Sequence, residues 1–154
     1  MTPSELMTRR IKAQLEAAGS TIPVYSILLA ALVGEKLETP SSGIAINVHP
    51  EEQLEEPLPH FTFKASVILT VSIDDDKEGL LFAQNYEAIW NAVAYLATGD
   101  NCIELGDEND EQGDHVFAVD GFRLSGGDDP DFQEDDNGGS FSASFEATIT
   151  GRSA

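Results

Sequence analysis

The chain has 154 residues, 41% of them hydrophobic, which is enough for one domain with a genuine core. Its charge is the anomaly: 28 acids against 8 bases give −20, a surface that repels nucleic acid and anionic membranes because phosphate binding needs Lys and Arg to displace counterions. The imbalance is uneven, since residues 1–36 carry a net +1 and residues 37–154 carry −21.

Thr2-Pro3-Ser4-Glu5 reads as a helix start, with Thr2 as cap, Pro3 in the first turn and Glu5 completing a capping box. Met7, Ile11, Leu15 and Ala18 then recur at helical spacing, and Gly19 ends the helix. Arg9, Arg10 and Lys12 fall elsewhere around it, as a solvated face or a basic patch for an acidic neighbour. Pro23-Val24-Tyr25 reads as extended. The ILLAALV block that follows is ambiguous between a buried strand and a short buried helix, and its leucines, alanines and Gly34 tilt it towards helix.

Ile44, Ile46 and Val48 make a short alternating strand closed by His49-Pro50, and residues 51–59 form an acidic connector with two prolines. The clearest pattern in the chain follows. From Phe61 to Ile73, residues Phe61, Phe63, Ala65, Val67, Leu69, Val71 and Ile73 share one parity, and mostly polar residues hold the other. Side chains alternate across a strand, so this is a half-buried strand of roughly 43 Å, about twice the usual length. The expectation is that it curls around a small core or reaches towards a neighbouring subunit.

Asp74-Asp75-Asp76 ends that strand, with Asp75 expected to cap the next helix and Glu78 to support it. Phe82, Tyr86, Ile89, Trp90, Val93 and Leu96 repeat with helical periodicity, so this aromatic stripe is expected in the core. After acids around residues 106–114 come a strand from Val116 to Leu124 and an acidic, glycine-rich flexible loop over 125–140. The final strand alternates through Phe141, Ala143, Phe145, Ala147 and Ile149. The fold class is α+β: a single domain over 1–154, with a mostly antiparallel sheet containing one long strand and two main helices packed on one face.

Motifs for chemistry are weak. Asp74-x-Asp76-x-Glu78-Gly79 matches half of a calcium loop, but Asn85 stands where a bidentate glutamate belongs and a strand precedes it. The acidic loops 107–114 and 128–136 match no defined calcium pattern, though a cation held between subunits by such oxygens is an open reading. His49, His60 and His115 are scattered. Cys102, the single cysteine, excludes an intramolecular disulfide, and Asp100 and Glu104 beside it disfavour a thiolate. No catalytic, metal or cofactor site is expected, nor a signal peptide or an apolar run long enough to span a bilayer.

Taken in order, the N-terminal helix, Pro23-Val24, GIAINV, the Glu-Pro connector, the long strand, LLFAQNYEAIWNAVAYL, VDGFRLSGG and the last strand FSASFEATITG resemble the tail terminators and related head–tail joining proteins of long-tailed bacteriophages. The resemblance implies a non-enzymatic virion-tail protein, assembled in the host cytoplasm, that forms a ring, usually sixfold, at the end of the tail tube. Its partners would be further copies of the chain, tail-tube protein and head-connector protein, with DNA passing through the lumen unbound. Physical reasoning adds the expected contacts: the acidic loop at Asp128, Asp129 and Asp131 with Phe132 as its anchor, Arg9, Arg10 and Lys12 as the basic counterpart, and Asp107, Asp110 and Asp114 lining a lumen. The alternative reading is an acidic binding module, DNA-mimic-like or stabilised by a divalent cation, acting on a basic protein partner.

Overall fold

The computed structural model describes residues 3–27, 41–51, 60–76, 78–106, 117–134 and 138–153. The first helix, α1 (Pro3–Ala17), buries Met7, Thr8, Ile11 and Leu15. Three of those four belong to the apolar stripe, and Ala18 is half-buried. Gly19 ends the helix at φ 101°, a left-handed conformation that glycine adopts without Cβ strain. The turn is closed by Ser20 N–H donating to the Leu15 carbonyl at 3.1 Å.

Short strand β1 (Val24–Ser26) runs parallel to β2 (Gly43–Pro50), and β2 runs antiparallel to the long strand β3 (His60–Ser72). Helix α2 (Leu80–Leu96) and a 3-10 turn (Asn101–Leu105) follow. Strands β4 (Phe117–Gly126), β5 (Asp131–Gln133) and β6 (Ser140–Ser153) complete the sheet. The spatial order is β1-β2-β3-β6-β4, with β5 pairing β6 beside β4. The ILLAALV block, apart from Ile27, lies outside the described residues, as do the Thr2 cap and most of the acidic connector.

The length of β3 is absorbed within the chain. Every residue from His60 to Ser72 pairs with a residue of β6, from Arg152 to Ser140. The apolar parity Phe63, Ala65, Val67, Leu69 and Val71 is buried, and β6 supplies Ala143, Phe145, Ala147 and Ile149 to the same cluster. The expectation is a strand that curls around a small core or reaches a neighbour; the whole length of β3 is paired within the chain. A partner strand of equal length, itself half apolar, satisfies its backbone, and both helices cover its greasy face. Each large side chain so buried contributes about 1.5–3 kcal/mol.

Both helices lie on that one face. Ile11 and Leu15 of α1 and Ala92, Val93 and Leu96 of α2 meet Ala65, Val67, Phe145 and Ala147 around an apolar gap of about 10 Å³, the size of one water and too small for a ligand. The opposite face of the sheet carries the polar parity: Lys64, Ser66, Ile68 and Thr70 of β3 beside Ser142, Ser144, Glu146 and Thr148 of β6. At the far end, Gly151 lets β4 and the Phe61 ring approach closely, since a Cβ there would sit 2.3 Å from the Ala118 carbonyl and 2.5 Å from the ring.

Three local expectations are corrected. The cap of α2 is Asp76 rather than Asp75: the helix starts after Gly79, which has no side chain to offer, and Asp76 Oδ2 accepts the Phe82 N–H at 2.7 Å. Asp75 instead accepts hydrogen bonds from the Ser41 and Ser42 hydroxyls, tying the entry of β2 to the end of β3. Trp90 is 50% exposed while Phe82, Ile89, Val93 and Leu96 are buried, because the inner face of α2 is completed by Asn85, Ala88 and Ala92. The 125–140 segment is also no free-standing loop: residues 125–126 belong to β4, and 131–133 form β5 on the edge of β6.

Candidate interaction surfaces

The acidic loop folds back along β6. Asp128 and Ser144 exchange main-chain hydrogen bonds at 3.1 and 3.0 Å, and Asp131, Phe132 and Gln133 pair with Ser142, Phe141 and Ser140. The pleat then separates residues that stand together in sequence. Phe132 shares the helical side with Phe141, their ring centroids 5.0 Å apart. Asp131 shares the polar side with Ser142. Asp128, Asp129, Asp131 and Glu134 are all exposed.

Phe132 is one end of a continuous aromatic strip. Phe141 stands 5.7 Å from Phe82, Phe82 stacks on Tyr86 at 6.0 Å, Tyr86 meets Phe145 at 5.3 Å, and Trp90 meets Phe145 at 6.2 Å. Phe82 and Phe145 are its buried floor, and Trp90 and Phe132 are its open ends. Sequence periodicity missed this because i, i+4 and i+7 spacing marks a helix face without saying where the covering sheet stops. The available signal was the double apolar run Ile89-Trp90, too wide for a single buried stripe.

The basic residues of α1 are not equivalent. Arg9 is exposed. Lys12 pairs with Glu16 at 3.9 Å on the surface, a contact worth little. The Arg10 guanidinium donates to the main-chain carbonyls of Glu104 and Gly106, so it fastens α1 to the end of the 3-10 turn. Glu104 completes this junction: Tyr95 Oη donates to its Oε1 at 2.6 Å, and Gln14 Nε2 donates to its Oε2 at 3.0 Å. The hydrogen bond to Glu104, with local desolvation and that carboxylate's charge, holds the Tyr95 phenol above its ordinary pKa. Asp107, Asp110, Asp114 and His115 lie outside the described residues.

Cys102 belongs to the 3-10 turn and is buried. Burial first, then the charges of Asp100 and Asp120, push its thiol upward. Asp120 enters through the tertiary fold, from the bulge in β4 between Val119 and Gly121. Asp76 and Asn85 are buried but committed to backbone and capping work. Among the described residues, no group of three or more His, Cys, Asp or Glu side chains is placed to hold a metal ion, and no helix is long and apolar enough to cross a membrane.

These features define an α+β protein with a helix-covered sheet face, a polar second face and an aromatic strip at one edge. No family model matches the chain, and no curated protein matches it. One solved structure, spanning 94% of this chain and 94% of its own, superposes with a TM-score of 0.44 at 13% identity. So distant a likeness bears on neither mechanism nor partner.

Proposed function

We propose that the chain is a non-enzymatic structural protein of a bacteriophage tail, one that closes into a ring at the tail-tube end or head–tail junction. The observation that carries this reading is the pair of outer strands: among the described residues β1 pairs only with β2, and β4 pairs only with β6, through eight of its ten residues. Such an edge is a template for another strand. A contact joining β4 of one subunit to the β1–β2 end of the next is heterologous, and contacts of that kind close into rings when the rotation permits. The element order, with its paired long strands and looped-back final hairpin, supports the same reading, as does the charge of −20. Like charge lowers the sticking of DNA along a passage. Tail-tube and head-connector proteins are the partners this role requires.

The test is sedimentation and negative-stain imaging of the purified chain at high concentration with magnesium. Rings with a central hole wide enough for duplex DNA are expected. The double variant Ala118→Lys/Ser125→Lys, which places charge at two exposed positions of β4, should lower assembly at least tenfold while leaving the melting temperature unchanged. A chain that stays monomeric throughout, and that fails to cap tail tubes, overturns the proposal.

A further inference from the structure

The aromatic strip, open at Trp90 and Phe132, is a surface feature separate from the outer strands. On α2 its flank is formed by Ala83, Tyr86 and Trp90, with Ala83 and Trp90 exposed. The floor is Phe82, Phe141 and Phe145, and Phe132 closes the far end. Small and aromatic side chains on one flank give a partner both close approach and broad contact.

The electrostatics around it are one-sided. From Glu78 to Phe122, and again from Leu124 to Gly151, the chain contains no Lys or Arg. All of α2, all of β5 and nearly all of β6 therefore lack a base. Exposed acids stand on both margins, Glu87 on the outer face of α2 and Asp129 and Glu134 beside β5, while Asp128 and Asp131 belong to the polar side of the sheet. A second copy seated symmetrically here would bring the same carboxylates against themselves.

We propose that this strip docks a basic amphipathic segment of a partner protein, its apolar residues on Trp90, Tyr86, Phe141 and Phe132 and its Lys or Arg residues on the flanking carboxylates. An arginine seated over Trp90 or Phe132 gains cation–π attraction as well. The inference does not depend on ring closure, since the strip lies on α2, β5 and β6 and not on the outer edge of β4.

Trp90 is the single tryptophan of the chain, so its fluorescence reports this surface alone. The probe is a synthetic amphipathic helix of Leu and Lys, with a Leu and Glu peptide of identical pattern as control. Titrating the full chain with the Leu/Lys peptide should shift Trp90 emission to the blue and saturate. The Leu/Glu peptide should produce no shift. Phe132→Ala should weaken docking about tenfold, as should Glu87→Gln combined with Asp129→Asn and Glu134→Gln. Ala83→Arg, at an exposed position, should abolish it with the melting temperature unchanged, so loss of folding is not mistaken for loss of docking.

Peptide binding without a Trp90 shift would mean general attraction to an acidic surface and would overturn the proposal. So would a shift indifferent to Ala83→Arg and to the charge variant. A blue shift produced by raising the concentration of the chain alone would identify a second copy as the occupant, with the same consequence.

Discussion

Asp76 Oδ2 accepts the Phe82 N–H at 2.7 Å while Asp76 is itself buried, so its carboxylate caps the main helix as its own N–H closes the turn after β3 on the Ile73 carbonyl at 3.2 Å. Phe82 is the third residue of α2, and its N–H is one of the donors that every helix start leaves without an intrahelical partner. Asp76→Ala should therefore destabilise the chain by about 1–2 kcal/mol, the usual cost of a lost N-terminal cap. Asp76→Asn, which keeps an acceptor oxygen, should recover much of that. Urea unfolding midpoints check both, with Asp75→Ala as the contrast, since Asp75 serves the β2 entry and not the helix.

Asn85 is a tie between α2 and the turn after α1. Its Oδ1 accepts from Thr21 N–H at 2.8 Å, and its Nδ2 donates to Thr21 Oγ1 at 3.0 Å and to the Leu81 carbonyl at 2.9 Å. It is wholly buried. Asn85→Leu removes all three bonds and leaves the Thr21 amide without its acceptor, so a loss of about 2–3 kcal/mol is expected. At about 2–4 °C per kcal/mol for a domain of this size, the melting temperature should fall by roughly 4–12 °C.

Cys102 should be slow to alkylate in the folded chain and ordinary once unfolded. Its thiol is raised, so at pH 8 less of it is thiolate than in a free cysteine, and the nucleophile is the thiolate. The linkage has a definite sign: the folded pKa lies above the unfolded one, so this contribution to stability is whole below the unfolded thiol's pKa and is lost as pH rises through the folded value. Iodoacetamide labelling rates with and without urea, measured from pH 7 to 10, check the direction.

Tyr95 should ionise later than a free tyrosine, because its hydroxyl donates to the Glu104 carboxylate. Glu104→Gln removes the charged acceptor and should bring the phenol back towards its ordinary value. Ultraviolet titration of the parent chain, of Glu104→Gln and of Tyr95→Phe separates this hydroxyl from those of Tyr25 and Tyr86. The phenol is raised in the folded state, so whatever stability it adds is present below the unfolded pKa and fades above it.

Strand identity was legible in the sequence because a two-residue period has only one structural meaning. The alternations at Ile44–Val48, Phe61–Ile73 and Phe141–Ile149 became β2, β3 and β6, with their apolar parity inward. Helix α2 was legible too, but its inner face was not fully so. The buried Asn85, Ala88 and Ala92 are small or polar, and only packing against the sheet selects them over Trp90. The basic cluster on α1 was visible as charge. The distant carbonyls of Glu104 and Gly106 then claimed Arg10.

Composition and periodicity by themselves determined the fold class, the layout of strands and helices, the parity that faces the core and the acidic surface. These follow from local chain geometry and from the free energy of burying apolar area. Tertiary structure alone decided which aspartate caps α2, where Asp128 to Gln133 lie down on β6 and how six rings join across three elements into one strip. Those outcomes depend on registers between residues distant in sequence, such as Phe132 opposite Phe141 and His60 opposite Arg152. Local propensity carries no record of such registers; the twist, the bulges and the packing of the finished sheet set them.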